Sequence, residues 1–115
     1  MKISILLPYK ENFSPSYPGA VSLFINSMNK LSNYKNQITV YGSTDLNDKF
    51  SDNYVNIELK KGFLKSQTRE YVNKFVELHT NLKSDIIEIH NRPNYVEFLS
   101  SLNSKKVLYF HNDPI

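Results

Sequence analysis

Two patterns of hydrophobic positions alternate along this chain, and the alternation predicts an α/β fold with a parallel sheet. Residues 2–7 form a short apolar run that reads as a buried strand, stopped by Pro8. Residues 9–18 are polar and aromatic, and Pro15 and Pro18 keep the segment from being helical throughout. From Ala20 the apolar residues Val21, Phe24, Ile25, Met28 and Leu31 recur at helical spacing, with Asn33 and Asn36 suited to the exit turn. Residues 37–41 are a second strand, ended by Gly42, and the Ser-, Asp- and Asn-rich residues 43–53 are a loop. Residues 54–59 alternate polar and apolar as a third strand, ended by Lys60-Lys61-Gly62. Ser66 is placed to cap a helix whose stripe is Tyr71, Val72, Phe75, Leu78, His79 and Leu82. Residues 85–89 are largely β-branched, the mark of a central strand. Pro93 suits the first turn of a third helix carrying Val96, Phe98, Leu99 and Leu102, and residues 106–110 are a fifth strand.

Strict strand–helix alternation with right-handed crossovers gives a Rossmann-like, doubly wound parallel sheet of five strands in the order 3-2-1-4-5. Residues 1–115 form one domain, with the topological switch between the first and fourth strands. Open sheets of this kind bind ligands outside the carboxyl ends of their strands. Three such ends carry chemistry. Tyr17-Pro18-Gly19-Ala20 leads from the first strand into a helix N-terminus, which presents free N–H groups and a positive dipole end to a phosphate. His90-Asn91-Arg92 follows the fourth strand and His111-Asn112-Asp113 the fifth. Arg92 is either a guanidinium fork for a phosphate or anionic acceptor, or a surface charge in a strand-end turn. Tyr9, Phe13 and Tyr17 either cover the sheet edge or form an aromatic platform for an acceptor.

Composition narrows the classes. In 115 residues, 40% hydrophobic with seven Phe and eight Tyr, there is material for a core, which argues against disorder. The absence of cysteine excludes disulfides and thiolate metal sites. His79, His90 and His111 are far apart, and Asp45 and Asp48 are separated by two residues rather than one, so no metal is expected. The net charge of +3 comes from scattered lysines with no basic-aromatic motif, which speaks against nucleic acid. It is compatible with a weak peripheral attraction to anionic headgroups at the inner face of a membrane. The apolar N-terminal run is too short for a signal peptide and no run is long enough to span a bilayer, so a cytoplasmic location is expected.

The ordered set Pro18-Gly19-Ala20, Ile38–Gly42 (Ile-Thr-Val-Tyr-Gly), residues 85–93 (Asp-Ile-Ile-Glu-Ile-His-Asn-Arg-Pro) and residues 109–114 (Tyr-Phe-His-Asn-Asp-Pro) resembles the N-terminal, acceptor-side domain of retaining GT-B glycosyltransferases of family 4. The resemblance runs the length of the chain. It implies the N-terminal half of a two-domain enzyme of polysaccharide biosynthesis. Such an enzyme moves a sugar from a nucleotide-sugar co-substrate to a glycan or lipid-linked acceptor, without a cofactor or metal. It further implies that Gly19 and Ala20 lie near the donor phosphates and that His111 holds a sugar hydroxyl. His90, Asn91, Arg92, Asn112 and Asp113 would then serve donor or acceptor. The family usually has two adjacent glycines where this chain has Pro18-Gly19, and proline has no N–H to donate. The nucleotide-binding C-terminal domain with its paired glutamates is expected elsewhere in a longer protein, so the chain alone is expected to be inactive. The alternative is a stand-alone flavodoxin-like module that binds a phosphorylated ligand or a protein. A phosphoacceptor receiver domain is disfavoured, because Glu11 is the only acid following the first strand.

Overall fold

The computed structural model describes residues 1–60 and 66–111. Five strands, β1 (Ile3–Leu6), β2 (Ile38–Gly42), β3 (Tyr54–Asn56), β4 (Ile86–His90) and β5 (Lys105–Tyr109), form one parallel sheet in the order β3-β2-β1-β4-β5. The helices are α1 (Ala20–Leu31), α2 (Gln67–Leu82) and the single turn α3 (Tyr95–Phe98). This is the Rossmann-like topology expected from the strand–helix alternation. β1 pairs with β2 through Ile3 opposite Ile38 and with β4 through Ile3 opposite Ile86, so the switch in strand order lies beside β1. The Lys61-Gly62 turn lies outside the described residues.

Side chains alternate across a strand, and the sheet accordingly carries a core on each face. One face buries Ile3, Ile5, Leu7 and Val40 against Val21 and Ile25 of α1. The other buries Leu6, Ile87 and Ile89 against Tyr71, Val72 and Phe75 of α2 and Tyr95 and Leu99 around α3. Ser66 caps α2, its Oγ accepting the Arg69 N–H at 3.4 Å.

Two expectations are revised. The α1 stripe is split: Val21 and Ile25 face the sheet, whereas Phe24, Met28 and Leu31 are 40%, 52% and 82% exposed. The core beneath α1 is built mainly from β1 and β2, and the β4–β5 half of that face carries no helix among the described residues. The third helix is one turn, not a run to Leu102. Ser100, Ser101 and Asn103 favour local side-chain bonds over helix propagation.

Two tyrosine hydroxyls from the α2–α3 layer fasten the carboxyl ends of the strands. The fully buried Tyr71 hydroxyl donates to the Leu7 carbonyl at 2.7 Å and lies 3.3 Å from the Tyr41 carbonyl. The Tyr95 hydroxyl accepts the Tyr9 N–H at 3.0 Å. The backbone leaving β1 and β2 is thereby held in place where the loops begin.

Candidate functional site

β4 ends at His90 and β5 at Tyr109, and Asn91 clips the two ends together. Asn91 has φ of 55°, the left-handed region that asparagine tolerates better than most residues. Its N–H donates to the Tyr109 carbonyl at 2.8 Å, and its Oδ1 accepts the His111 N–H at 2.7 Å. That geometry folds His111 back over the end of β4. His90 Nδ1 and His111 Nε2 are then 2.7 Å apart, and the rings stack with centroids 5.0 Å apart. Tyr109 stacks on His90 at 5.0 Å, and Phe24 of α1 sets its edge against His111 at 4.6 Å. Burial and the neighbouring His90 push the His111 pKa below its ordinary value, and Glu11 opposes them.

Gly19 precedes the same helix, and its surroundings revise the simplest picture of an open phosphate loop. The Gly19 N–H donates to the Asn12 carbonyl at 3.2 Å. The Ser22 N–H donates to Glu11 Oε2 at 3.0 Å. α1 has no side-chain cap of its own and no acid in its first turn, so an acid from the preceding loop takes that place. A Cβ at residue 19 would stand 1.8 Å from Glu11 Oε2, so glycine is what admits this carboxylate. Glu11 thus lies against Gly19 and also acts on His111, and the α1 N-terminus and the two histidines share one end of the sheet. Ala20 is exposed beside them as the first residue of α1.

The remaining candidates separate. Arg92 is exposed and folds back, its Nη1 donating to the Asn91 carbonyl at 2.8 Å. Tyr9 packs against Tyr71 with centroids 5.5 Å apart and lines a depression of about 720 Å³ with Lys10, Asn12, Thr44, Asp45 and Gln67, at the carboxyl ends of β1 and β2. Tyr17 is 75% exposed. Phe13 is not part of any platform. It is fully buried, stacked on Tyr54 at 5.7 Å and edge-on to Phe50 at 5.2 Å, because the loop after β1 turns inward to close the α1-side core. Asn112 and Asp113 lie outside the described residues.

Two residues were missed from sequence. Glu11 is eight positions before Gly19 and no periodicity joins them; the available signal was the uncapped N-terminus of α1, which needed an acceptor from elsewhere. Glu88 sits two residues before His90 on the same strand face, with Oε2 3.5 Å from His90 Nε2. Period-two reading of β4 places Glu88 and His90 together, away from Ile87 and Ile89. His79 has a structural role: Nδ1 donates to the Phe75 carbonyl at 3.0 Å and Nε2 accepts from Ser4 Oγ at 2.8 Å. Among the described residues no helix is long and apolar enough to cross a membrane. Compared with known proteins, this chain matches no protein-family model, no curated protein and no solved structure.

Proposed function

We propose that the chain is the acceptor-side domain of a retaining, metal-independent glycosyltransferase of GT-B architecture, acting from the cytoplasm on a glycan or lipid-linked acceptor. The observation that carries this reading is the convergence of His90, His111 and the N-terminus of α1 at the carboxyl ends of β1, β4 and β5. In this reading His111 holds a hydroxyl of the donor sugar, and the donor diphosphate approaches Gly19 and Ala20. Glu11 occupies the Ser22 N–H there, so the diphosphate must displace its carboxylate. The leaving phosphate takes the acceptor proton. Tyr9 and the polar depression beside it receive the acceptor. A nucleotide-binding domain completes the cleft in the longer protein.

The test is product analysis of the full-length protein with a panel of nucleotide sugars, in the presence of a chelator. Transfer with retained anomeric configuration is expected. His111→Ala should lower turnover roughly 10²–10³-fold, as loss of a hydrogen bond made in the transition state does, far more than it lowers stability in a thermal melt. No transfer from any donor would refute the proposal.

A further inference from the structure

A histidine pair joined nitrogen to nitrogen has one proton in the shared bond, and where that proton comes from decides what the outer nitrogen can do. With both rings neutral, two arrangements exist. In the first, His90 Nδ1–H donates to His111 Nε2, which leaves His90 Nε2 bare and puts the other proton on His111 Nδ1. In the second, His111 Nε2–H donates to His90 Nδ1, which puts a proton on His90 Nε2 and leaves His111 Nδ1 bare. His90 is 1% exposed, and its Nε2 is buried without a hydrogen-bond partner. Glu88 Oε2 lies 3.5 Å from it. A bare lone pair buried near a carboxylate is repelled, whereas an N–H near it is attracted.

We infer that Glu88 is a positioning residue that fixes both histidines as Nε2–H tautomers, so that His111 offers Nδ1 as a hydrogen-bond acceptor. The ligand group this site takes is therefore a donor, a sugar hydroxyl or an amine, and not a carbonyl or phosphate oxygen; this last clause rests on the proposed function. Proton flow follows from the same chain. A proton taken up at His111 Nδ1 leaves the Nε2 proton in the bond to His90 Nδ1. No bond between heavy atoms changes.

Among the described residues, opposing groups are few. Glu11 acts on His111 from the loop after β1 and favours a proton on it, but its Oε2 is already engaged by the Ser22 N–H. α1 contributes Phe24 and β5 contributes Tyr109, both as ring faces or edges. Arg92, on the loop after β4, is turned to the Asn91 carbonyl. Burial holds the His111 pKa below its ordinary value, which favours the neutral ring.

The chain contains its own reference. His79 donates from Nδ1 to a carbonyl, which can only accept, so it must be the opposite tautomer. Long-range proton–nitrogen NMR spectra of the uniformly labelled chain at about pH 8, where ordinary imidazoles are neutral, should show His79 as Nδ1–H and both His90 and His111 as Nε2–H. Glu88→Gln keeps the shape, but its amide can accept from Nε2–H or donate to a bare Nε2. The preference should therefore fall by about tenfold or more, because the charge that sets it is gone. Finding His111 as Nδ1–H in the parent would overturn the inference, as would tautomers unchanged in Glu88→Gln. Neither readout uses a nucleotide sugar, so failure of the glycosyltransferase reading leaves this result standing and is separately visible.

Discussion

Replacing Gly19 with alanine isolates the contact between Glu11 and the α1 N-terminus. Gly19 has φ of −78° and ψ of 160°, which any residue adopts, so the backbone imposes no strain. The new Cβ instead meets Glu11 Oε2, Cδ and Oε1 at 1.8, 2.3 and 2.5 Å. These atoms end a flexible side chain, so the carboxylate swings away and the Ser22 N–H loses its acceptor. A hydrogen bond to a charged group contributes about 1.5–3 kcal/mol, and the half-buried Glu11 belongs at the lower end, about 1.5 kcal/mol. Two further effects oppose each other. Alanine restricts the unfolded chain, worth about 0.4–1 kcal/mol, but is a poorer N-cap than glycine by a similar amount. They nearly cancel and are common to both backgrounds of a double-mutant cycle. Gly19→Ala should therefore cost about 1.5 kcal/mol in the parent, a shift of several degrees in melting temperature. It should cost close to nothing in Glu11→Ala. Urea unfolding followed by circular dichroism measures all four corners. Equal costs in the two backgrounds would show that the carboxylate does not cap α1.

Other outcomes follow from the same geometry. Tyr71→Phe should cost about 1–3 kcal/mol in urea unfolding, because it leaves the Leu7 carbonyl buried without its donor. Burial lowers the pKa of both His79 and His111, so the unfolded chain binds protons that the folded chain refuses. Stability should be full above about pH 6.5 and fall as pH drops below it, by at most about 1.4 kcal/mol per pH unit for each histidine. In pH-dependent unfolding, His79→Leu should flatten most of that slope while lowering stability at neutral pH. Asn91→Gly keeps access to the φ of 55° but loses the Oδ1 bond to the His111 N–H, whereas Asn91→Ala loses both. Thermal melts should place the alanine variant about 1 kcal/mol below the glycine variant.

The strands and their order were legible because each carries a short apolar run, and the crossovers after β1, β3 and β4 carry a helical stripe, a cap such as Ser66 or a helix-starting Pro93. The two histidines were legible as strand-end residues, since their place follows from strand boundaries alone. Their direct contact was not, because it depends on Asn91 turning into the left-handed region, a property of one residue in its tertiary setting. Glu11 reaches α1 across a loop without periodicity, and nothing in residues 9–18 distinguishes a buried Phe13 from an exposed Tyr17. The exposure of Phe24, Met28 and Leu31 escaped for a different reason. Helical spacing says which residues share a stripe, but how wide a stripe the sheet covers is set by the placement of neighbouring elements.

The central position of β1 has a consequence for how the protein is made. β1 is synthesised before both of its partners, and Ile3 must wait for Ile38 on one side and Ile86 on the other. At translation rates of about 5–20 residues per second, the wait for β4 is about 4–16 seconds. During that time Ile3, Ile5 and Leu6, each at most 8% exposed in the finished fold, have at most one side of their backbone paired. The nascent chain thus carries an adhesive apolar segment until β4 has been made. Chaperone occupancy on stalled ribosomes should accordingly persist until β4 has cleared the exit tunnel, and then fall.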